Sequence, residues 1–518
     1  MKTFLLSLLT ALLTIPGAAC AQSHFVRHNP PGPYTVGLQV VEQYDQARAY
    51  QEATDINTGK PTTGERARPV QTLVWYPAAQ ATKTIMTAVD YLRLGGTSEA
   101  FGLAPADRAH AEDTYINENV ALLTPERAAA ESRARMTAYR DANGHSGRFP
   151  VIIYAPSFDA PSFENADLCE YLASYGYIVI ASPSHGQSVG GMTTDLEGAS
   201  AQMDDIEFLI GYAQTLPNAD TSHIAAVGFS WGGLANVMAA AKDSRIDALV
   251  SLDGSVRSWP SIVEQSRFLT PDRITAPFLY VASAPKQIED LPAGLNTETS
   301  FLNKVKYADL YRVTLAPYVH ADFGVMLSQR FASDSDYGSY NQDELSIAND
   351  WMETYVRRFL DGYLKHDAAS LAFLDLPAEQ TGAPAHLLTV YQKKAQGVPP
   401  TRAAFAAELA QQGFDHAGAV YKDFQMRDPG FTLTDLALTN WGYALLRGGE
   451  TRSAVAILRL DTELYSQSWN AWDSLGEAYA KNGDRALAVE AYRKSLVLNP
   501  DNTNGTGQLV KLDGKKSK

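Results

Sequence analysis

The stretch that most constrains this chain is Gly228-Phe229-Ser230-Trp231-Gly232, with Gly233 behind it. An apolar run, His223-Ile-Ala-Ala-Val227, leads in, and a helix-forming run from Leu234 to Ala241 leads out. The spacing predicts strand, sharp turn, helix, with a serine in strained backbone at the tip of the turn. Glycines on either side let such a turn pass close to its neighbours, where a Cβ would clash. A glycine-rich loop between a strand and a helix is the plainer alternative. The strand and helix on either side favour the turn that exposes a serine hydroxyl.

The segments around the turn read as one sheet. Near-continuous apolar runs stand at Phe149–Tyr154, Tyr177–Ala181, Asp247–Leu252, Ala276–Ala282 and Leu310–Leu315. Helical runs at Asn165–Tyr175 and Leu196–Leu216 separate them, and Asp343–Leu364 closes the set. Apolar strands alternating with helices predict an α/β fold, a mostly parallel sheet covered on both faces. Upstream, Thr35–Val41 and Val70–Tyr76 are expected to be strands, with the polar stretch from Tyr44 to Pro69 as an irregular hairpin tip. Residues 80–147 are rich in Ala, Glu and Arg, above all Pro125–Met136, and read as a helical insertion before the core, over the mouth of the site.

A serine hydroxyl is a weak nucleophile at neutral pH and needs a histidine base, itself oriented by a carboxylate. Behind an elbow of this kind the acid and then the base follow the serine along the chain. Only His320, His366, His386 and His416 lie after Ser230. His320 comes just after the run Leu310–Leu315 and is the expected base. The expected acid is Asp253, directly after Asp247–Leu252, because catalytic groups gather at the carboxyl edge of parallel strands. Glu289 or Asp290 and, more weakly, Asp322 are the alternatives, Asp322 reading better as a loop-ordering residue. An oxyanion needs backbone N–H donors. Trp231, following the serine, offers one. The second is expected from Ala155-Pro-Ser-Phe-Asp-Ala160, where Pro156 has no N–H; Phe158 is the first choice and Ser157 the second. His185 precedes the elbow and reads as a loop or pocket-rim residue. No His/Cys/Asp grouping has metal-ligand spacing and no phosphate-cradling glycine loop occurs, so neither a metal nor a cofactor is expected.

The remaining sequence sets the organisation. At 518 residues the chain needs two or three domains. A second periodicity begins near residue 401. Ala437–Glu450 aligns with Ala471–Asp484 at a spacing of 34, placing Gly442 on Gly476, Ala454 on Ala488 and Leu458 on Tyr492. Trp472-x-x-Leu475-Gly476-x-x-Tyr479, then Ala488, Tyr492 and Asn499-Pro500, is the tetratricopeptide pattern, with residues 401–430 a degenerate first copy. Repeats of this kind offer a surface to a protein partner, or lean on a neighbouring domain. The expected boundaries are residues 1–21 a signal peptide, 22–366 the sheet domain, 367–400 a Pro/Gly-containing linker, 401–510 the repeats and 511–518 a solvated tail.

Residues 1–21 have a basic start, an apolar run too short to span a bilayer, and a small-residue cut site before Gln22. That predicts a secreted or periplasmic protein, with lipid attachment at Cys20 the lesser alternative, and no transmembrane segment after signal removal. Cys169 then remains without an intrachain partner and is expected buried. The net charge of −15 disfavours nucleic acid and anionic membranes as partners.

Several motifs together resemble the platelet-activating-factor acetylhydrolase-like branch of the α/β-hydrolases, near its dienelactone-hydrolase and polyester-hydrolase relatives. They are Gly32–Gly37, Leu73–Pro77, Leu172–Val179, Gly228–Gly233, Ser251-Leu-Asp253 and Val319–Phe323, spread over residues 30–365. The resemblance implies an α/β-hydrolase domain followed by an all-α tetratricopeptide module. It implies a cofactor-free serine hydrolase of carboxylic esters, acting on a small-molecule or lipid-like ester through an acyl-enzyme. It also favours Asp253 as the acid and Phe158 as the oxyanion donor. The chain departs from the branch where Pro156-Ser157 stands in place of His-Gly. An amidase or peptidase on the same residues, and a binding protein built on a non-catalytic hydrolase scaffold, are the alternative functions.

Overall fold

Among the described residues the chain forms eleven strands of a single sheet. They are β1 (Thr35–Ala49), β2 (Ala67–Ala78), β3 (Ile85–Thr87), β4 (Arg135–Arg140), β5 (Phe149–Ala155), β6 (Ile178–Ala181), β7 (Ala219–Phe229), β8 (Ile246–Leu252), β9 (Phe278–Ser283), β10 (Leu310–Leu315) and β11 (Leu388–Lys393). The computed structural model describes residues 23, 25–55, 58–81, 85–283, 300–331 and 338–513. The expected signal sequence with Cys20, the alternative acids Glu289 and Asp290, and residues 514–518 of the tail lie outside the described residues.

The strand order is β11-β10-β9-β8-β7-β5-β6-β2-β1-β4-β3. Neighbours from β10 through β6 all pair parallel, whereas β2 runs antiparallel to β6 and to β1. Side chains alternate across the sheet because a strand has a period of two. Val151, Ile153 and Ala155 of β5 face one core, while Ile152 and Tyr154 face the other.

Helices α1 (Ala88–Gly95), α2 (Pro105–Val120) and α3 (Pro125–Ser132) precede the parallel strands. Helix α4 (Ala166–Ser174) follows β5, α5 (Leu196–Ala213) follows β6 and α6 (Trp231–Lys242) follows β7. Beyond them lie α7 (Pro260–Gln265), α8 (Phe301–Lys304), α9 (Gln342–Leu364), α10 (Ala368–Leu374) and α11 (Ala378–Thr381). Helices α4 and α9 cover one face of the sheet, and α5 and α6 the other. The start of α9 is fixed by a reciprocal pair: Glu344 N–H donates to Asn341 Oδ1 at 3.0 Å, and Asn341 N–H donates to Glu344 Oε2 at 2.9 Å. Cys169 is buried in α4.

Three expectations need correction. The hairpin is longer than expected, since β1 runs to Ala49 and keeps its register with β2 through Asp45↔Arg68 before it shifts. Residues 80–147 are not wholly helical. Arg135–Arg140 is a strand, parallel to β1, with Met136 and Ala138 buried and Arg135 exposed. A period of two hides there inside an Ala- and Arg-rich window. Residues 367–397 are not a linker, because they fold as α10, α11 and β11, with Leu388 paired to Leu315. A further strand, β11, thus follows Leu310–Leu315 in the chain and in the sheet. The chain divides instead into Met1–Gly397 and Val398–Lys518.

The second unit is helical: α12 (Arg402–Gln412), α13 (Ala417–Arg427), α14 (Asp435–Arg447), α15 (Thr451–Leu464), α16 (Trp469–Asn482), α17 (Arg485–Leu498) and α18 (Thr503–Asp513). Small residues set how closely paired helices pack. A Cβ at Gly442 of α14 would lie 2.4 Å from Leu458 of α15, and one at Gly476 of α16 would lie 2.9 Å from Tyr492 of α17. The residues that align at the 34-residue spacing thus make equivalent contacts.

Candidate active site

The chain runs from β5 to β6 on one side and returns to β7 on the other side of β5. Where strand order reverses in this way, a crevice opens beyond the carboxyl ends of the strands. Ser230 stands there, immediately after β7, with φ 52° and ψ −113°. Its backbone is held on both sides. Ser230 N–H donates to Leu252 O at 3.0 Å, and Ser255 N–H donates to Ser230 O at 2.8 Å. The following loop of β5 presses against the start of α6. A Cβ on Gly232 would come within 2.1 Å of Ala155 O, so only glycine fits.

Asp253 follows β8, also with a positive φ of 44°. His320 follows β10 and opens a single 3-10 turn, His320–Phe323. The structure brings the three side chains into line. Ser230 Oγ lies 2.8 Å from His320 Nε2, and His320 Nδ1 lies 2.7 Å from Asp253 Oδ2. Burial opposes ionisation of Asp253, but hydrogen bonds from His320 and Ser283 outweigh it and hold the carboxyl below its usual range. Ser283 supplies two of these, from N–H to Oδ1 at 3.1 Å and from Oγ to Oδ2 at 2.8 Å. It closes β9 and was not singled out in the sequence; a polar residue ending an apolar strand at this edge was the available signal. Phe229 packs on the His320 ring at 5.2 Å.

Asp322 does not compete for the histidine. Its carboxylate accepts Val319 N–H at 2.7 Å and orders the turn that carries His320. Among the other late histidines, His366 packs on the His223 ring, His386 pairs with Glu344, and His416 lies in the second unit. His185 is buried; its carbonyl accepts from Arg68 at 2.9 Å, so it shapes its loop.

Trp231 N–H is the first amide of α6, beyond the reach of the helix's own carbonyls. The Phe158 ring meets Trp231 edge-on at 5.7 Å, and Trp231 meets Trp259 in the same manner at 5.5 Å. These aromatic rings, with Val319 at the rim, line a cleft of about 490 Å³ that contains Ser230, Asp253 and His320. Pro156 O accepts from Gln202 Nε2 at 2.6 Å. Ser157 gives both its N–H, at 2.8 Å, and its hydroxyl to the buried Glu164 carboxylate. Neither Gln202 nor Glu164 was foreseen, since both reach the loop from separate segments. Among the described residues no group of three His, Cys, Asp or Glu could hold a metal ion, and no helix is long and apolar enough to cross a membrane.

This geometry can be set beside known proteins. The X-Pro dipeptidyl-peptidase (S15) family profile matches residues 70–318, and the tetratricopeptide repeat profile matches residues 469–502. Two curated relatives are assigned as carboxymethylenebutenolidases. The Synechocystis sp. protein is 28% identical over 17% of this chain and 41% of its own length. The Methylorubrum extorquens protein is 26% identical over 34% of this chain and 63% of its own length. The chain thus spans less than two thirds of either relative. A ferulic acid esterase structure from Streptomyces cinnamoneus aligns with a TM-score of 0.47 at 17% identity, over 72% of this chain and 99% of that one. The sheet order, the elbow after β7 and the two matched profiles identify the chain as an α/β-hydrolase with C-terminal tetratricopeptide repeats.

Proposed function

We propose that the chain is a serine hydrolase of carboxylic esters. The single observation that carries this is the unbroken line of hydrogen bonds from Ser230 Oγ through His320 to Asp253, 2.8 Å and then 2.7 Å. Ser230 attacks the acyl carbonyl carbon while His320 Nε2 takes the hydroxyl proton. Asp253 keeps the Nδ1 proton in place and stabilises the imidazolium. The tetrahedral oxyanion is received by the Trp231 and Phe158 amides, and collapse expels the alcohol, protonated by His320. Water, activated by the same base, then releases the acid. The curated relatives' names support this class of substrate.

Replacing Ser230 by Ala is expected to lower turnover of short acyl esters by roughly 10⁴- to 10⁶-fold with the fold intact. A fluorophosphonate probe should label Ser230 alone. Undiminished turnover in the variant, or labelling elsewhere, overturns the assignment.

The match to a peptidase family favours a second reading, amide cleavage on the same residues. A panel of esters and X-Pro amides separates the two, and a kcat/KM higher on the amides would reverse the preference. Residues 1–21 support export, with the mature chain beginning at Gln22 or lipidated at Cys20. The mass of the purified mature protein decides between these, and an intact Met1 excludes both. The repeats are proposed to hold a protein partner. Loss of the partner on deleting residues 398–518, with ester cleavage retained, is the expected pattern, and a partner that still binds excludes it.

A further inference from the structure

Glu164 stands outside the Ser230–His320–Asp253 line, yet its carboxylate is buried, only 4% exposed, beside the loop that follows β5. It accepts Ser157 N–H at 2.8 Å on Oε2 and the Ser157 hydroxyl on Oε1. Beside it the buried Tyr154 hydroxyl accepts a hydrogen bond from Asn165 Nδ2. The backbone at the same point grips the segment after the base. Met326 N–H donates to Glu164 O at 3.1 Å, and Val325 N–H donates to Asn165 Oδ1 at 3.3 Å. Residues 164–165 therefore tie the β5 loop to the segment that directly follows the His320 turn.

The loop needs such an anchor. Pro156 lacks an N–H, and Asp159 holds φ at 51°, so the backbone between them is constrained at both ends. With Ser157 N–H occupied, the next amide along the loop is that of Phe158, a residue that lines the cleft with Ser230. We infer that Glu164 is a positioning residue, whose carboxylate pins Ser157 so that Phe158 N–H meets the oxyanion that forms on attack by Ser230. The inference rests on the reading of Ser230 as nucleophile. It accounts for Pro156-Ser157 at this point in the chain: the serine supplies two donors to one buried carboxylate, and the pair locks the loop. Burial pushes the Glu164 carboxyl up to about 7, against the hydrogen bonds from Ser157 and the attraction of His320. Assays at pH 8 keep it ionised.

The test compares Glu164→Ala, Glu164→Gln and Ser157→Ala in the full chain with a p-nitrophenyl ester of short acyl length and an alkyl boronic acid. The tetrahedral, anionic boronate adduct of Ser230 sets a boron-bound hydroxyl oxygen where the oxyanion would form and reports on its donors. Glu164→Ala is expected to lower kcat roughly 10²-fold and to weaken boronate binding in parallel, with KM within about twofold. Glu164→Gln should restore kcat to within about fivefold, because its amide can accept from Ser157 N–H and donate to Ser157 Oγ. Ser157→Ala, which keeps the N–H contact, should lower kcat and boronate affinity by about three- to tenfold; it decides the matter if thermal melting shows Glu164→Ala unfolded. Wild-type kcat in Glu164→Ala or Ser157→Ala overturns the inference, as does a loss in KM alone. Wild-type protein that neither turns over esters nor is labelled at Ser230 overturns the esterase reading and this inference with it. Labelled, active wild type beside unaffected variants removes this inference only.

Discussion

The two units of the chain differ in which residues take positive φ. Among the described residues five non-glycine residues have positive φ, and three of them, Asp159, Ser230 and Asp253, stand on the loops that follow β5, β7 and β8 around one cleft. In Val398–Lys518 the described residues with positive φ are Gly413, Gly449 and Gly483, all at helix ends or turns. A non-glycine residue in that region costs about 1–3 kcal/mol and persists only where its surroundings over-determine it. Around Asp253 they do, with Asp253 N–H held by Val281 O at 2.6 Å and its carboxylate by Ser283. Repeating helices need no such device, because glycine makes the turns between them without strain. Strain thus separates the part of the chain that must aim reacting atoms from the part that must only stack.

The largest effect that could break this comparison lies at Asp253. In Asp253→Asn, Ser283 N–H requires an oxygen where Oδ1 now stands, so the amide NH₂ must face His320 Nδ1. That nitrogen then has to accept, the ring proton moves to Nε2, and the base faces Ser230 already protonated. A loss of kcat of roughly 10⁴-fold at pH 7, with the melting temperature little changed, is expected. A loss below tenfold would show that Asp253 does not set the tautomer, and its positive φ would have no link to chemistry.

How much of this was legible follows the same division. The elbow, the chain order that selected His320 and Asp253, and the 34-residue repeat are local patterns, and one sequence carries them. Eliminating Pro156 narrowed the second oxyanion donor to Phe158 and Ser157. Ser283, Glu164 and Gln202 were not legible, because each acts through a contact made only after separate segments fold together. Strands β3, β4 and β11 were missed for another reason. All three lie toward the margins of the sheet, where short or half-exposed strands lack the continuous apolar run that marked β5 to β10. Asp322 shows the reverse hazard. It stands close to His320 in sequence, yet its carboxylate turns to the Val319 amide.

A smaller effect sharpens the comparison at Ser230 itself. Ser230→Ala and Ser230→Gly both remove the hydroxyl, and both should abolish turnover. They differ in what remains at φ 52°. Alanine keeps the Cβ and the strain. Glycine releases about 1–3 kcal/mol of strain while its unfolded chain gains about 0.5–1 kcal/mol of entropy. The glycine variant is therefore expected to be the more stable by about 1 kcal/mol in urea unfolding. An alanine variant equal to or more stable than glycine would mean that the elbow stores no strain.

The smallest effect belongs to the repeats. Gly483 ends α16 at φ 94° and ψ 0°, its N–H reaching Ala480 O and Tyr479 O, while Asp484 N–H returns to Tyr479 O at 2.9 Å. A Cβ there would meet nothing within 4 Å, so Gly483→Ala adds no clash and tests conformation alone. The expected loss is about 1 kcal/mol from the second unit, read as a shift of its urea midpoint, with ester turnover unchanged. Gly442→Ala is not an equivalent control, because its Cβ would strike Leu458 at 2.4 Å and mix packing with conformation. An unshifted midpoint in Gly483→Ala would mean that the α16 terminus frays without penalty, and left-handed backbone would then be as inexpensive for alanine as for glycine at this turn. The contrast with Ser230 depends on that not being so: the same φ region has to disfavour a side chain at Gly483 if its occupation by a serine at the elbow is to be explained by what the serine does.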